Sequence, residues 1–488
     1  MTGAAPTPVT AGTLTGLVLE GARRWGPRPA ITVAGRTLTY RDLPGHAERY
    51  ATALAGGGVR PGDRVAIIAP NSPAVVDAFL GCLWCGAALV PLDPGLRGAS
   101  LDRALATTRP DHLLPDRPLQ ATEGRSARPR TADIAPDTPA AVLFTSGSTG
   151  ASKAVVCPHS QLLAWGTTVG THLELGPDDV LWTTLPLHHT NALNAVVQAL
   201  TWGAQIVIGA RFSVSSYWQR AAEHGATVGY LLGSLVPRLL AAAPAGVDRT
   251  HRMTRMLAPG VSPLARAELE ARFGVRTLDG YGSTETNYVI GGPLDRARPG
   301  WMGRLLPGYR ARLAPVDDDP GHGELLLAEE TPGAFATGYL GEELYGPDGW
   351  FRTGDQVRLE GGWYRFEARL TDVIRRHGEN IQAREVEEIL TAHPLVAQAC
   401  VIGHRDGSET DVHAFLVPAR PAAGSAGSVD GEAVDLEAVL AYATANLPPF
   451  AVPRYVDVLA ELPVTASEKP DRPALRARGL GPDTWRSR

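Results

Sequence analysis

What most constrains this chain is a strand–helix–strand run between residues 65 and 92. Residues 65–69 (Val-Ala-Ile-Ile-Ala) are apolar throughout, as befits a short strand covered on both faces. Asn71-Ser72-Pro73 then reads as a helix start, with proline where the first turn tolerates it, and an apolar helix runs on to Cys85. Residues 87–92 form another apolar strand. Strand, helix and strand at this pitch imply a parallel sheet with crossover helices, which places the chain in the α/β class.

The pattern extends in both directions. Residues 12–24 carry apolar positions at helical spacing, residues 30–33 and 37–40 form a hairpin around Ala34-Gly35-Arg36, and a helix spans 40–55. Residues 115–138, rich in proline, arginine and threonine, read as an exposed connection. A helix from Ser160, a strand over 180–185 and further α/β alternation lead to about residue 290. From 303 to 367 the texture changes to short strands (311–313, 324–328, 363–366) among many glycines. Past Arg369, helices over 383–392 and 436–447 and strands over 397–403 and 412–417 suffice for a compact α+β unit, with 421–429 as a surface loop. The expected organisation is a large N-terminal α/β domain over 1–369, whose 303–369 part is mainly β, and a C-terminal α+β domain over 370–488.

Charge and cysteine content narrow the function. A formal charge of −5 is too mild to imply nucleic acid or an anionic membrane as partner. Four cysteines in 488 residues cannot form a disulfide framework, which suggests a reducing compartment. Cys82 and Cys85 make a C-x-x-C within the apolar run 78–92, open to a core-packing reading and to a redox or metal pair. That run is too short to span a bilayer, and no basic residue precedes Arg23 to start a signal peptide. A soluble, cytoplasmic protein is expected.

Candidate chemistry gathers in five segments. In residues 143–153, Thr145, Ser146, Ser148 and Thr149 interleave with Gly147 and Gly150, and Lys153 closes the run. Glycines let successive N–H groups converge, and hydroxyls add donors, as a polyphosphate-wrapping loop requires. It is not a Walker A sequence, because only two residues separate Gly147 from Gly150. Strand-like residues 140–144 and 154–157 flank it, so it caps a hairpin and lacks a helix dipole. Taken alone it could equally be a polar surface turn. Residues 279–285 offer an aromatic face at Tyr281, a hydroxyl at Thr284 and a hard oxygen ligand for Mg²⁺ at Glu285. In residues 349–355, Asp355 on a glycine-kinked turn could accept bonds from both hydroxyls of a ribose. Residues 369–387 and the loop 462–469, which ends at Lys469, complete the set.

In this order, the five segments resemble the adenylate-forming superfamily that contains acyl-CoA synthetases, luciferases and peptide-synthetase adenylation domains. The resemblance covers nearly the whole chain. It implies that Thr145, Ser146, Gly147, Ser148, Thr149, Gly150 and Lys153 grip the β- and γ-phosphates of ATP. It implies that Tyr281 stacks on adenine, Thr284 touches the α-phosphate, Glu285 helps hold Mg²⁺, and Asp355 and Arg369 bind the ribose, with Gly260, Gly280 and Gly282 in the same nucleotide site. Lys469 matches the catalytic lysine of a mobile C-terminal domain, His189 the histidine lining the acyl pocket, and Gly378 the position along which a thiol's pantetheine arm approaches. Residues 185–192 look most like relatives of crotonobetaine/carnitine-CoA ligase.

The implied reaction is ATP- and Mg²⁺-dependent formation of an acyl-AMP from a carboxylic acid, then transfer of the acyl group to CoA. A carrier-protein thiol, an amine or another small nucleophile is the alternative acceptor, and a catalytically silent adenylate-binding protein is the competing class. Ser152, Ala154, Thr371, Ala383 and Glu468 depart from the family pattern, but no charged catalytic group is lost. Residues 210–218 contain Arg211 and no carboxylate, which disfavours an α-amino acid. His188, His189, Asn191, Asn194, Tyr230, Gly233 and Asn287 are the pocket candidates, and their polarity suits a small or polar acid. His188 and His189, as neighbours on one strand, should point to opposite faces.

Overall fold

The expected unit forms as a parallel pair. In the computed structural model, Arg64–Ile68 and Ala88–Leu92 run parallel with Val65 beside Leu89, and Pro73–Cys85 is the crossover helix. The structure describes residues 6–117, 134–145, 153–242, 246, 250–296, 298–370, 373–376, 379–406, 409–419, 435–465 and 470–487.

This pair sits in a six-stranded sheet ordered Gly338–Tyr339, Ala154–Pro158, Pro139–Phe144, Ala88–Leu92, Arg64–Ile68, His112–Leu114. A seven-stranded sheet runs Arg276–Leu278, Arg255–Leu257, Val228–Tyr230, Val180–Thr183, Gln205–Ile208, Pro29–Val33, Arg36–Thr39. It is parallel except at its last pair, where the expected hairpin folds back with Val33 opposite Arg36. Helices Leu14–Trp25, Asp42–Gly56, Pro73–Cys85, His159–His172 and Thr190–Trp202 pack on one another and join the two sheets. Every residue from Ala74 to Cys85 is buried, which explains why that helix has no polar face. Cys82 and Cys85 are packed inside it, with Cys85 Sγ donating to Ala51 O at 3.4 Å.

Asp77 is the exception on that helix. Burial alone would raise its pKa, but hydrogen bonds from His46 (2.7 Å) and Arg36 (3.0 Å) outweigh this and hold the carboxylate below its usual range. Three elements are thereby tied around one buried charge.

The 303–369 stretch holds an antiparallel sheet of Tyr309–Pro315, His322–Glu329, Phe351–Glu360 and Trp363–Arg369. The strand Phe351–Glu360 was not expected, because Arg352-Thr353-Gly354-Asp355 breaks its alternation. Residues from 373 onward have a core of their own, built on Ile374, Ile381, Val386, Leu390, Val401 and Val439. Its sheet is ordered Val396–Asp406, Glu409–Pro418, Tyr455–Val458, Trp485–Arg486, flanked by helices Ala383–Thr391, Leu436–Asn446 and Arg472–Arg478. Asp411, 1% exposed, bridges Arg376 (2.9 Å) and Arg454 (2.7 Å) there. Among the described residues no helix is long and apolar enough to cross a membrane.

Candidate active site

Strand Pro139–Phe144 returns as Ala154–Pro158, and Thr145 N donates to Lys153 O at 2.9 Å to close the hairpin stem. The loop therefore does cap a hairpin. Ser146, Gly147, Ser148, Thr149 and Gly150 lie outside the described residues, as do Gly378 and Lys469. At the stem, Lys153 pairs with Glu342 at 2.8 Å and sits 4.4 Å over the Tyr339 ring.

Strand Tyr281–Ser283 turns directly into Asn287–Gly291, and the turn between them carries Thr284 and Glu285. The close approach of these strands explains the glycines. A Cβ on Gly282 would lie 2.0 Å from Asn287 O, and one on Gly280 would lie 2.2 Å from the Tyr288 ring. Gln161, wholly buried, steadies the turn by donating Nε2 to Thr284 O (2.7 Å) and Glu285 O (3.3 Å). Glu285 is 8% exposed, and its Oε1 accepts from Tyr339 Oη at 3.0 Å. Asp279 caps the near end, taking N–H bonds from Gly260 (2.9 Å) and Gly280 (2.8 Å). Burial raises the Asp279 pKa despite those two donors and Arg266 nearby.

At the other end of the motif, Tyr281 donates to Asp355 Oδ2 at 2.6 Å, and Arg369 Nε meets Asp355 Oδ1 at 2.8 Å. Asp355 lies on a strand opposite Arg369, not on a turn as expected; the kink survives as Gly354 at φ +70°. Burial, then the Asp355 carboxylate, pushes the Tyr281 phenol well above its ordinary pKa, so it remains a donor.

The expected pocket residues divide. Thr190 Oγ1 is 2.7 Å from Thr284 Oγ1, which joins the start of helix Thr190–Trp202 to the nucleotide motif. The preceding residues are not a strand. His189 N bonds to Pro186 O (3.0 Å) in a turn, so the opposite-faces expectation fails and the rings of His188 and His189 lie side by side, 4.5 Å apart. His188 Nε2 and Asn191 Oδ1 are buried atoms with no hydrogen-bond partner among the described residues. Burial, helped by His189, lowers the His188 pKa to about 4.

Asn194, Tyr230 and Asn287, expected in the pocket, are wholly buried, and each bonds through its side chain to the surrounding framework. Tyr230 Oη donates to Gln198 (2.6 Å), Gln198 to Asn194 (2.9 Å), and Asn194 to Leu162 O (3.1 Å). Asn287 Nδ2 donates to Gln161 O (3.0 Å) and Ala334 O (3.1 Å). Gly233 packs against the Gly260–Val261 backbone, where a Cβ would lie 2.2 Å from Val261 N.

Sequence reading missed Asn71, Gln161 and Tyr339. Asn71 was seen only as a helix start, yet it donates to Leu185 O and Gly209 O and accepts from Leu187 N (2.8 Å), fastening the loop that leads into His188. None of the three belongs to a periodic pattern, and only the Asn-Ser-Pro context could have drawn attention to one.

An aromatic face on a paired carboxylate, followed at once by hydroxyls, a carboxylate and a lysine, is the layout of a nucleotide-binding enzyme. The AMP-binding enzyme family model matches residues 18–340, and the model of its C-terminal domain matches 385–469. The chain belongs to the AMP-binding enzyme family. It is 31% identical to a sulfoacetate–CoA ligase of Cupriavidus necator, across 94% of this chain and 96% of that one. It is 30% identical to a medium/long-chain-fatty-acid–CoA ligase of Mycobacterium tuberculosis, across 99% and 88%. A crotonobetaine/carnitine–CoA ligase of Salmonella enteritidis shares 28%, across 89% and 92%. Among solved structures, o-succinylbenzoate CoA synthetase of Bacillus subtilis with its acyl-adenylate superposes with a TM-score of 0.81 over 94% of this chain and 97% of that one; at 24% identity this shows the fold alone.

Proposed function

We propose that this enzyme activates a carboxylic acid with ATP to an acyl-adenylate, releasing pyrophosphate, and passes the acyl group to CoA. The observation that carries the reading is one connected polar path. It runs from Arg369 and Asp355 to Tyr281 by side-chain bonds, along the backbone to Thr284 and its partner Thr190, and from Glu285 through Tyr339 to Lys153, with His188 and Asn191 beside Thr190 in the chain. A nucleoside, a polyphosphate and an acid would meet along it in the order the reaction needs. That the comparable relatives are CoA ligases supports the acceptor.

In the first step a carboxylate oxygen attacks the α-phosphorus, and the bond to the bridging oxygen of pyrophosphate breaks. Two anions approach, so the site has to supply positive charge and donors where charge accumulates. Asp355 and Arg369 hold the ribose, Tyr281 covers the base, Thr284 meets the α-phosphate, and the hairpin loop with Lys153 holds the leaving pyrophosphate. Gly260, Gly280 and Gly282 belong to the same nucleotide site. His189 borders the acid, and Lys469 would reach the reacting oxygens from the C-terminal domain. In the second step a thiol, guided past Gly378, attacks the acyl carbon and AMP leaves.

Glu285 fits Mg²⁺. Among the described residues no three His, Cys, Asp or Glu side chains gather, and one buried carboxylate suits a hard cation that takes its other oxygens from water and phosphates. Bound there, the ion would neutralise charge on the polyphosphate.

The deciding experiment is carboxylate-dependent ATP–pyrophosphate exchange over a panel of acids, followed by CoA consumption. Exchange and thioester formation are expected with the same acid. ATP binding without exchange would identify a silent protein, and exchange without CoA loss would identify another acceptor. The buried polar atoms of the half-buried residues His188 and Asn191 favour a small or polar acid. A fatty-acid series should therefore show no steady gain in affinity. Tightening of about 0.8 kcal/mol per CH₂ past eight or so carbons would overturn that assignment.

A further inference from the structure

Residues 338–342 do more than extend a sheet edge. Gly338 and Tyr339 pair with Val156 and Val155, the strand that leaves the phosphate loop, and Leu340 N bonds to Ala154 O at 2.9 Å. A tight turn follows, with Tyr339 N to Glu342 O at 2.9 Å and Glu342 N to Tyr339 O at 3.3 Å. Both side chains are thus fixed relative to the stem of the loop. Tyr339 reaches two charged groups at once: its hydroxyl bonds to Glu285 at 3.0 Å, and its ring face lies 4.4 Å from Lys153 Nζ. Glu342 holds the same ammonium at 2.8 Å.

We propose that Tyr339 and Glu342 are positioning residues for the polyphosphate end of ATP. Tyr339 fixes the spacing between the metal-binding carboxylate and the phosphate-binding lysine, while Glu342 is an internal anion that occupies Lys153 until the γ-phosphate replaces it. This rests on the roles assigned above to Glu285 and Lys153. A carboxylate and a phosphate cannot both take the ammonium's best donor direction, so ATP must displace Glu342 and its net affinity is reduced accordingly. The pair is substantially exposed, 43% at Lys153 and 62% at Glu342, so the competition is mild. AMP ends at the α-phosphate and escapes it. The device therefore weakens the substrate nucleotide relative to AMP and sharpens its dependence on metal.

Calorimetric titration of ATP and AMP into the full-length protein, without acid and at low ionic strength, tests this without turnover. Glu342→Gln should tighten ATP about two- to fivefold, the range expected for an exposed ion pair, and leave AMP unchanged. Tyr339→Phe keeps the ring and removes the hydroxyl. It should raise the Mg²⁺ concentration needed for half-maximal tightening of ATP severalfold, with metal-free ATP affinity unaltered. Unchanged or weaker ATP binding in Glu342→Gln overturns the competitor role, and an unmoved Mg²⁺ dependence in Tyr339→Phe overturns the positioning role. Lys153→Ala separates these failures from failure of the underlying reading: it must weaken ATP but not AMP, and equal binding of ATP before and after would show that Lys153 is no phosphate ligand.

Discussion

Asp355 uses both of its carboxylate oxygens inside the protein, one toward Tyr281 and one toward Arg369, while only 1% of its surface is exposed. A ribose would add bonds to an anion already held in place, so little ordering remains at the moment of binding. Asp355→Ala should weaken AMP by about 10- to 100-fold, as loss of hydrogen bonds to a charged group predicts, and equilibrium dialysis would show it. His188 illustrates the opposite case, with a buried Nε2 that has no hydrogen-bond partner among the described residues. With its pKa lowered to about 4 by burial and His189, it is neutral at any pH near 7. His188→Asn should lower affinity for the cognate acid while leaving the pH dependence of binding between about pH 5 and 8 unmoved. A change of profile in that variant would mean that the imidazole carries charge when the acid binds.

The packing of elements decides what the glycines and buried histidines do. A methyl on Gly280 would meet Tyr288 and the Ile290 carbonyl, so Gly280→Ala should destabilise by about 1–3 kcal/mol and lower the melting temperature. His159, wholly buried, accepts from Leu14 N at 3.1 Å and docks the first helix; burial lowers its pKa from 6.5 to about 4. Because the unfolded chain takes up that proton first, its contribution is intact above pH 6.5, declines as pH falls, and levels off below about 4. The loss amounts to about 3 kcal/mol. His159→Gln, which keeps an acceptor for Leu14, should flatten the melting-temperature profile across that window.

These elements also show what sequence could reveal. The buried strand–helix–strand unit and the loop-bearing hairpin were legible because apolar runs and punctuating glycines record burial and turns directly. Strand Phe351–Glu360 was not, since its polar residues answer to partners on neighbouring strands. The motif segments marked Tyr281, Glu285 and Asp355, but the histidine pair was misplaced because a turn, not a strand, precedes helix Thr190–Trp202. Gln161 and Tyr339 act through tertiary hydrogen bonds that leave no local trace.

At the scale of the molecule, Tyr281 packs against the large N-terminal core, whereas Leu462 and Leu475, on either side of the lysine loop, pack with Cys400, Ile402 and Phe415 on the C-terminal sheet. Lys469→Ala should abolish ATP–pyrophosphate exchange yet spare thioester formation from supplied acyl-AMP; equal loss of both steps would count against a turning small domain. The base of the lysine loop is closed by the Val464–Pro470 bridge and by Asp471 N to Pro463 O at 2.8 Å. The helix that follows is tied to Ala383–Thr391 by Arg472 and Glu387 at 2.6 Å. That second helix carries the hairpin 373–382 packed at its root. Loop and hairpin are therefore spokes of one wheel. Any rotation of this unit would displace both together and by the same angle.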